Sequence, residues 1–361
     1  MLQPSAAFMS TARPRSIAYW LFGVAALIVA MVVVGGITRL TNSGLSITEW
    51  KPITGIVPPL NEAQWQAEFA NYKRIPEYTT FNQHMTLAGF KAIFFWEYLH
   101  RVLGRVIGMA FALPLLWFWV RGRIPAGYKP RLVALLALGG LQGAIGWWMV
   151  ASGLVERTDV SHIRLTVHLV TALVILAGII WTAMDLMALR RSPLAAPARL
   201  TRGSGVVLAL LFVQIVYGAL TAGLDAGYAF ASWPLMGDAW FPQGVPMASP
   251  ALANAVDNPV VVQFIHRWFA FIAAAGLAWI AVRTARGGAL RTGAVVLALV
   301  GVQIALGIAT LLSGVQIDVA VAHQLNAALL LIATVAAAHR LGTPPAPLSV
   351  SRYPSGNPRK A

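Results

Sequence analysis

Eight apolar stretches divide the chain, at about 17–38, 92–120, 132–150, 165–187, 205–224, 260–282, 293–312 and 318–339. Their apolar positions are continuous rather than alternating, and each run is long enough for a helix to cross about 30 Å of hydrocarbon. Membrane barrel strands alternate between lipid and lumen, so helices are the spanning element this pattern allows. The sequence predicts an all-α integral membrane protein of eight transmembrane helices. One stretch breaks the pattern. FFWEYLHRVLGR (94–105) carries Glu97, His100, Arg101 and Arg105 within an otherwise apolar run. Ionisable side chains at such depth cost about 3 kcal/mol or more each unless something pairs with them.

Composition agrees with the pattern. The 361 residues are 58% hydrophobic and 11% charged, where a soluble domain is about 25% charged. The net charge of +15 invites a nucleic-acid reading, but its distribution points to lipid instead. Lys and Arg crowd every second connection: Arg121, Arg123, Lys129 and Arg131; Arg190, Arg191, Arg199 and Arg202; Arg283, Arg286 and Arg291. The 225–258 loop has none. The positive-inside rule puts both termini in the cytoplasm or a mitochondrial matrix, and no nucleic-acid partner is expected. Residues 1–16 read as a cytoplasmic tail leading into an uncleaved first span, 188–204 as a cytoplasmic linker, and 341–361 as a disordered cytoplasmic tail. With no cysteine, disulfides and thiolate ligands are excluded.

The chain also repeats itself. LGGLQGAIGWWMVASGL in the third span answers LVGVQIALGIATLLSGV in the seventh, matching Gln142, Gly146, Ser152 and Gly153 to Gln303, Gly307, Ser313 and Gly314 at a constant offset of 161. EYLHR (97–101) matches QFIHR (263–267), and TVHLVTALVILA matches VAHQLNAALLLIA, setting His168 against His323. The first and fifth spans match weakly, through VGGITRL and VYGALTAGL. Two tandem four-helix bundles, 17–187 and 205–340, would then be related by a pseudo-twofold axis along the membrane normal. The pairs Gly104/Gly108 and Gly139/Gly143 are read as sites of close helix packing.

Four of the seven histidines, His100, His168, His266 and His323, lie in even-numbered spans. They sit at a shallow depth on the outer side, on the order of 10 Å at 1.5 Å per residue. Two histidines per half on separate helices suit the axial ligands of one haem iron in each half; the bland reading is a set of helix–helix hydrogen bonds. Zinc is disfavoured, because no third ligand clusters with either pair. His84, His162 and His339 lack repeat counterparts and are read as surface residues.

Haem propionates would give Arg101, Arg105 and Arg267 anionic partners for their bidentate forks; snorkelling to outer headgroups is the alternative. Glu97 lies one turn from His100 on the same helix face. Its repeat counterpart is Gln263, which cannot exchange protons. That difference suits one reactive and one auxiliary haem, although Glu97 could equally be a counter-ion to Arg101 or Arg105. In the first outer loop (39–91), Asn61 and Gln64 precede a stripe of Trp65, Phe69 and Tyr72, predicting a capped amphipathic helix on the outer membrane surface. That loop and 225–258, with Trp233, Trp240 and Phe241, are either lids over haem pockets or an interfacial aromatic belt.

Six motifs, in order, carry a resemblance: GGITRLTNSGLSITEWKPITGIVPPL (35–60), FFWEYLHRVLGR, HIRLTVHL (162–169), YGALTAGLDAGYAFASWPLMGDAWFP (217–242), FIHR (264–267) and AHQLNA (322–327). From Ile17 to about Arg340 the chain resembles the haem A synthases, of the cysteine-free type with a long first outer loop. Some members carry a cysteine pair in that loop, and any thiol role there cannot apply to this chain. The resemblance implies an enzyme that oxidises a methyl group of haem O to the formyl of haem A. It implies His100 and His168 as ligands of the substrate haem, His266 and His323 as ligands of a haem b, and Glu97 as the acid/base residue. It further implies a haem O synthase upstream and a haem-copper oxidase or its assembly factors downstream; a homo-oligomer is compatible with it, and the short cytoplasmic tail favours a bacterial inner membrane over a mitochondrial one. The rivals are a dihaem b-type cytochrome that only transfers electrons, and a haem-delivery protein without chemistry.

Overall fold

The computed structural model describes residues 12–344, so most of both expected tails (1–16 and 341–361) lies outside it. The described chain is helical, with no β-strand beyond one isolated bridge, Met236 to Ala239. Eight helices are long and apolar enough to span a membrane. They are α1 (Pro14–Leu40), α4 (Leu87–Val120), α5 (Lys129–Ala151), α6 (His162–Arg191), α7 (Arg202–Gly223), α9 (Pro259–Arg286), α10 (Leu290–Leu312) and α11 (Ile317–Gly342). Shorter helices fill the two long loops: α2 (Glu62–Tyr72), α3 (Pro76–Thr80) and α8 (Asn254–Asp257).

Capping explains where several helices begin. Asn61, Thr86, Ser161, Thr201 and Asn258 each accept a hydrogen bond from the backbone two or three residues on, satisfying donors that a helix start leaves open. The Thr86 cap starts α4 at Leu87 rather than near 92, and the added turn carries Phe90, one turn before Phe94. Asn61 accepts from the Gln64 amide at 3.0 Å while Gln64 Oε1 accepts from Leu60 N at 2.6 Å, so the N-terminus of α2 is closed by a reciprocal pair. Its apolar stripe is spent differently from the sequence expectation. Trp65 meets Phe94 edge-on at 5.0 Å, and Phe69 and Tyr72 lie over Phe90 at 5.0 and 5.4 Å. The early start of α4 supplies an aromatic wall, and the stripe packs on that wall.

Within the first half α1 packs on α4 and α6, and α5 on α6; within the second, α9 packs on α7 and α10, and α10 on α11. The halves meet through α1, α6, α7 and α11. Close approach needs glycine at several crossings, but not at those the spacing suggested. A Cβ on Gly108, Gly139 or Gly143 would meet nothing within 4 Å, and Gly139 and Gly143 face outward. The tight crossings between halves include Gly223 of α7, where a Cβ would lie 2.7 Å from Cβ and 2.8 Å from Cα of His162 on α6, and Gly36, where it would lie 2.6 Å from Gln324 Oε1 of α11.

The weak match of first and fifth spans is visible at a constant offset of 183. Asn42 and Asp225 end α1 and α7 in the same left-handed conformation, with φ of 48° and 51°, which Asn and Asp tolerate better than most residues. Arg39 crosses between these turns, donating to Ala222 O and Asp225 Oδ1, both at 2.9 Å.

Candidate functional site

Each of the four span histidines is seated on a glycine of the helix before it. A Cβ on Gly35, Gly146, Gly218 or Gly307 would lie 3.0–3.1 Å from Cε1 of His100, His168, His266 or His323 respectively. The glycines let each ring lie edge-on against the neighbouring backbone. All four histidines are partly buried. His266 and His323 face each other with ring centres 6.5 Å apart and planes 86° to one another. A metal–imidazole bond runs about 2 Å, so two rings gripping one iron from opposite faces stand roughly 6 Å apart, centre to centre. The second pair has that spacing. Among the described residues no group of three or more His, Cys, Asp or Glu converges, so each pair suits a metal that brings its other ligands, as haem does.

A glutamine stands over three of the rings. Gln142 Nε2 lies 3.1 Å from His168 Nδ1, Gln214 Nε2 3.0 Å from His266 Nδ1, and Gln303 Nε2 3.2 Å from His323 Nδ1. Each also donates to the backbone carbonyl of the same histidine, at 2.8, 3.0 and 3.2 Å. Whichever tautomer the imidazole holds, the contact limits the ring's rotation. These glutamines were not assigned a role from the sequence, although the signal is there: Gln142, Gln214 and Gln303 each stand four residues before the seating glycine.

Glu97 is buried at 3% exposure and accepts four hydrogen bonds. They come from Ser46 Oγ at 2.7 Å, Ile47 N at 2.8 Å, Arg101 Nε at 3.0 Å and Arg101 Nη2 at 2.7 Å. The counter-ion relationship with Arg101 is thus present. Gln263 also reaches the chain just beyond the preceding span, with its polarity reversed: Nε2 donates to Phe230 O at 3.0 Å, and Oε1 is buried without a partner.

The arginines divide by half. Arg101 also donates to Ile47 O and Glu49 O, at 2.7 and 3.0 Å. Arg105 donates to Lys51 O and Pro52 O, at 2.7 and 2.8 Å. Both tie the first outer loop to α4. Arg267 donates only through Nη1, to Pro234 O and Leu235 O at 3.1 and 3.0 Å; its Nε and Nη2 are buried with no partner. Buried guanidinium donors left open are what an anionic group would satisfy.

Of the remaining histidines only His84 is exposed. His162 and His339 are buried, contrary to the surface expectation. His162 Nε2 meets Asp257 Oδ1 at 2.8 Å, and His339 Nε2 meets Asp185 Oδ1 at 2.9 Å. Asp185 also receives Arg131 at 2.6 Å and Ala198 N at 3.0 Å. These carboxylates, distant in sequence, permit the burial.

Residues 18–335 match the family COX15-CtaA, described as cytochrome oxidase assembly protein. A heme A synthase of Rhizorhabdus wittichii is 58% identical over 332 residues, covering 92% of this chain and 96% of the relative. Those of Sphingopyxis alaskensis and Novosphingobium aromaticivorans are 55% and 51% identical, over 94% and 91% of this chain and 96% and 95% of the relatives. The family match spans the histidines of both halves, and the chain belongs to the COX15-CtaA family.

Proposed function

We propose that this protein converts haem O to haem A by oxidising a ring methyl to a formyl group, in the inner membrane of a bacterium with both termini in the cytoplasm. The observation that carries the reading is the pair of matched histidine seats that differ at the adjoining acid/base position, Glu97 in one half and Gln263 in the other. In this reading His100 and His168 hold the iron of the substrate haem O, and His266 and His323 hold a resident haem b. When bound, haem b supplies one-electron relay.

Arg267 offers its two open nitrogens to a propionate of haem b. In the first half, propionates compete for Arg101 and Arg105 with the carbonyls of Ile47, Glu49, Lys51 and Pro52, so arrival of substrate is coupled to the seating of the 39–91 loop. That loop and 225–258 act as lids: Trp50 stacks on Trp147 at 5.6 Å, and Trp233 on Trp268 at 5.9 Å, each closing a loop over its own half.

The methyl group is oxidised in two successive steps through a hydroxymethyl and a geminal diol. Each step adds the oxygen of one water and releases two protons and two electrons, the electrons leaving to a one-electron acceptor outside the chain. The diol then loses water to give the aldehyde. Glu97 accepts protons released at the methyl carbon. Its surroundings allow this, because the Ser46 hydroxyl that donates to the carboxylate can turn and accept from the carboxylic acid. Haem O comes from a haem O synthase and haem A goes to a haem-copper oxidase.

The test is extraction of haem from the native chain and from Glu97→Gln, each co-expressed with a haem O synthase and resolved by mass. The native chain should yield haem A, and the variant should stall at haem O or the hydroxymethyl intermediate. Haem b alone from both would make the protein an electron carrier.

A further inference from the structure

We propose that His100 is the ligand that leaves the iron of the substrate haem, and that Met31 is the residue that permits it. This rests on the reading of His100 and His168 as the first-half ligands.

The repeat locates the feature. Gly35 seats His100 as Gly218 seats His266. Four residues before Gly218 is Gln214, which stands against His266 Nδ1; four residues before Gly35 is Met31. The same offset of 183 links both pairs. Met31 points at α4, its Cε 3.5 Å from the place a Cβ on Gly104 would take, one turn past His100. A thioether neither donates a hydrogen bond nor accepts a strong one. His100 Nδ1 is buried with no hydrogen-bond partner, and it alone among the four span histidines has no glutamine against it.

A histidine whose ring is braced by a neighbouring side chain has a restrained orientation. His168, His266 and His323 have that support. His100 has a seat but no clamp, so it is the weakest-held ligand of the four and the one free to rotate. Both second-half ligands are clamped, as suits a haem that only relays electrons. The unclamped one lies on α4, one turn from Glu97, so the position it vacates opens on the side of the acid/base residue. Met31 is a positioning residue, acting through His100.

Met31→Gln is nearly isosteric and supplies the missing clamp. The readout is carbon monoxide binding to the reduced full-length protein, with total haem per chain measured alongside. The native protein should bind carbon monoxide at one of its two haems. Met31→Gln should retain its haem and bind carbon monoxide at least about tenfold more slowly. The reciprocal Gln214→Met should open the second haem and raise the carbon monoxide bound per chain.

Unchanged binding in Met31→Gln at full haem content overturns the proposal. If that variant does not fold, a second haem still closed in Gln214→Met overturns it instead. His168→Ala separates the two readings. A fall in haem content there supports the first-half site, whatever the Met31 result; unchanged content removes that site and the proposal with it.

Discussion

A missing methyl group does much of the positioning in this protein. The four seating glycines each bring a histidine edge within contact of a neighbouring backbone, and backbone cannot yield as a side chain can. Gly307→Ala should therefore push the His323 ring off its seat, and Gly146→Ala the His168 ring. Loss of the low-spin absorption of the corresponding haem, at near-normal protein yield, is the expected result. Gly139→Ala on the outward face should leave the spectrum intact and raise helix stability by up to about 1 kcal/mol. The histidines and Glu97 were legible in the sequence because a charge or imidazole in an apolar run is conspicuous. Their supports were not, since a glycine that packs and one that faces outward look alike on paper.

At the level of elements, capping and hydropathy fixed most helix boundaries closely, and the misplacements have physical causes. The α4 start was placed late because Gly89 and Lys91 interrupt the apolar run in its first turns, and hydropathy alone does not separate those turns from loop. The same turns build the wall under α2, where a buried carboxyl sits. Burial pushes Glu77 up to about 7, despite the nearby Tyr72 hydroxyl. Its pKa is thus higher in the folded loop than the ordinary 4.5, so the folded loop holds the proton more tightly than the unfolded chain. The packing contribution is complete below about pH 4.5 and is lost as pH rises to about 7. The amide protection factors of residues 62–72, exchange rates corrected for the intrinsic pH dependence, should be highest at the acid end of that window and fall across it, and Glu77→Gln should flatten the profile. A flat profile in the native protein would remove Glu77 from the stability of the loop.

Across the whole molecule, the third, seventh, second, sixth, fourth and eighth spans declared their kinship through identical residues. The first and fifth did so only weakly, through VGGITRL and VYGALTAGL, because their informative position is a difference, Met31 against Gln214, and their shared left-handed turns use Asn42 and Asp225. The two buried histidine–aspartate pairs were illegible for another reason: their partners stand 95 and 154 residues away. Asp185 is the more consequential, joining α5, the 188–204 linker and α11 through Arg131, Ala198 and His339. Asp185→Ala would strand a buried histidine and loosen the junction between the halves. A loss of about 3 kcal/mol is expected, seen as a lower Tm in detergent, with Asp185→Asn intermediate. An unchanged Tm would assign the junction to apolar packing alone.

The central seam has a thermodynamic corollary. α6 and α11 pack directly on one another across the divide, and they carry His168 and His323. One ligand helix from each half therefore belongs to a shared partition, and ordering it from one side orders it for the other. On the reading proposed above, occupancy of the two halves would be linked through this partition: if a resident group raised the affinity for the transient one, the transient one would by reciprocity tighten the resident by the same factor. A chain emptied on one side would then be a poor receiver on the other, and substrate would be refused until the chain is fully equipped.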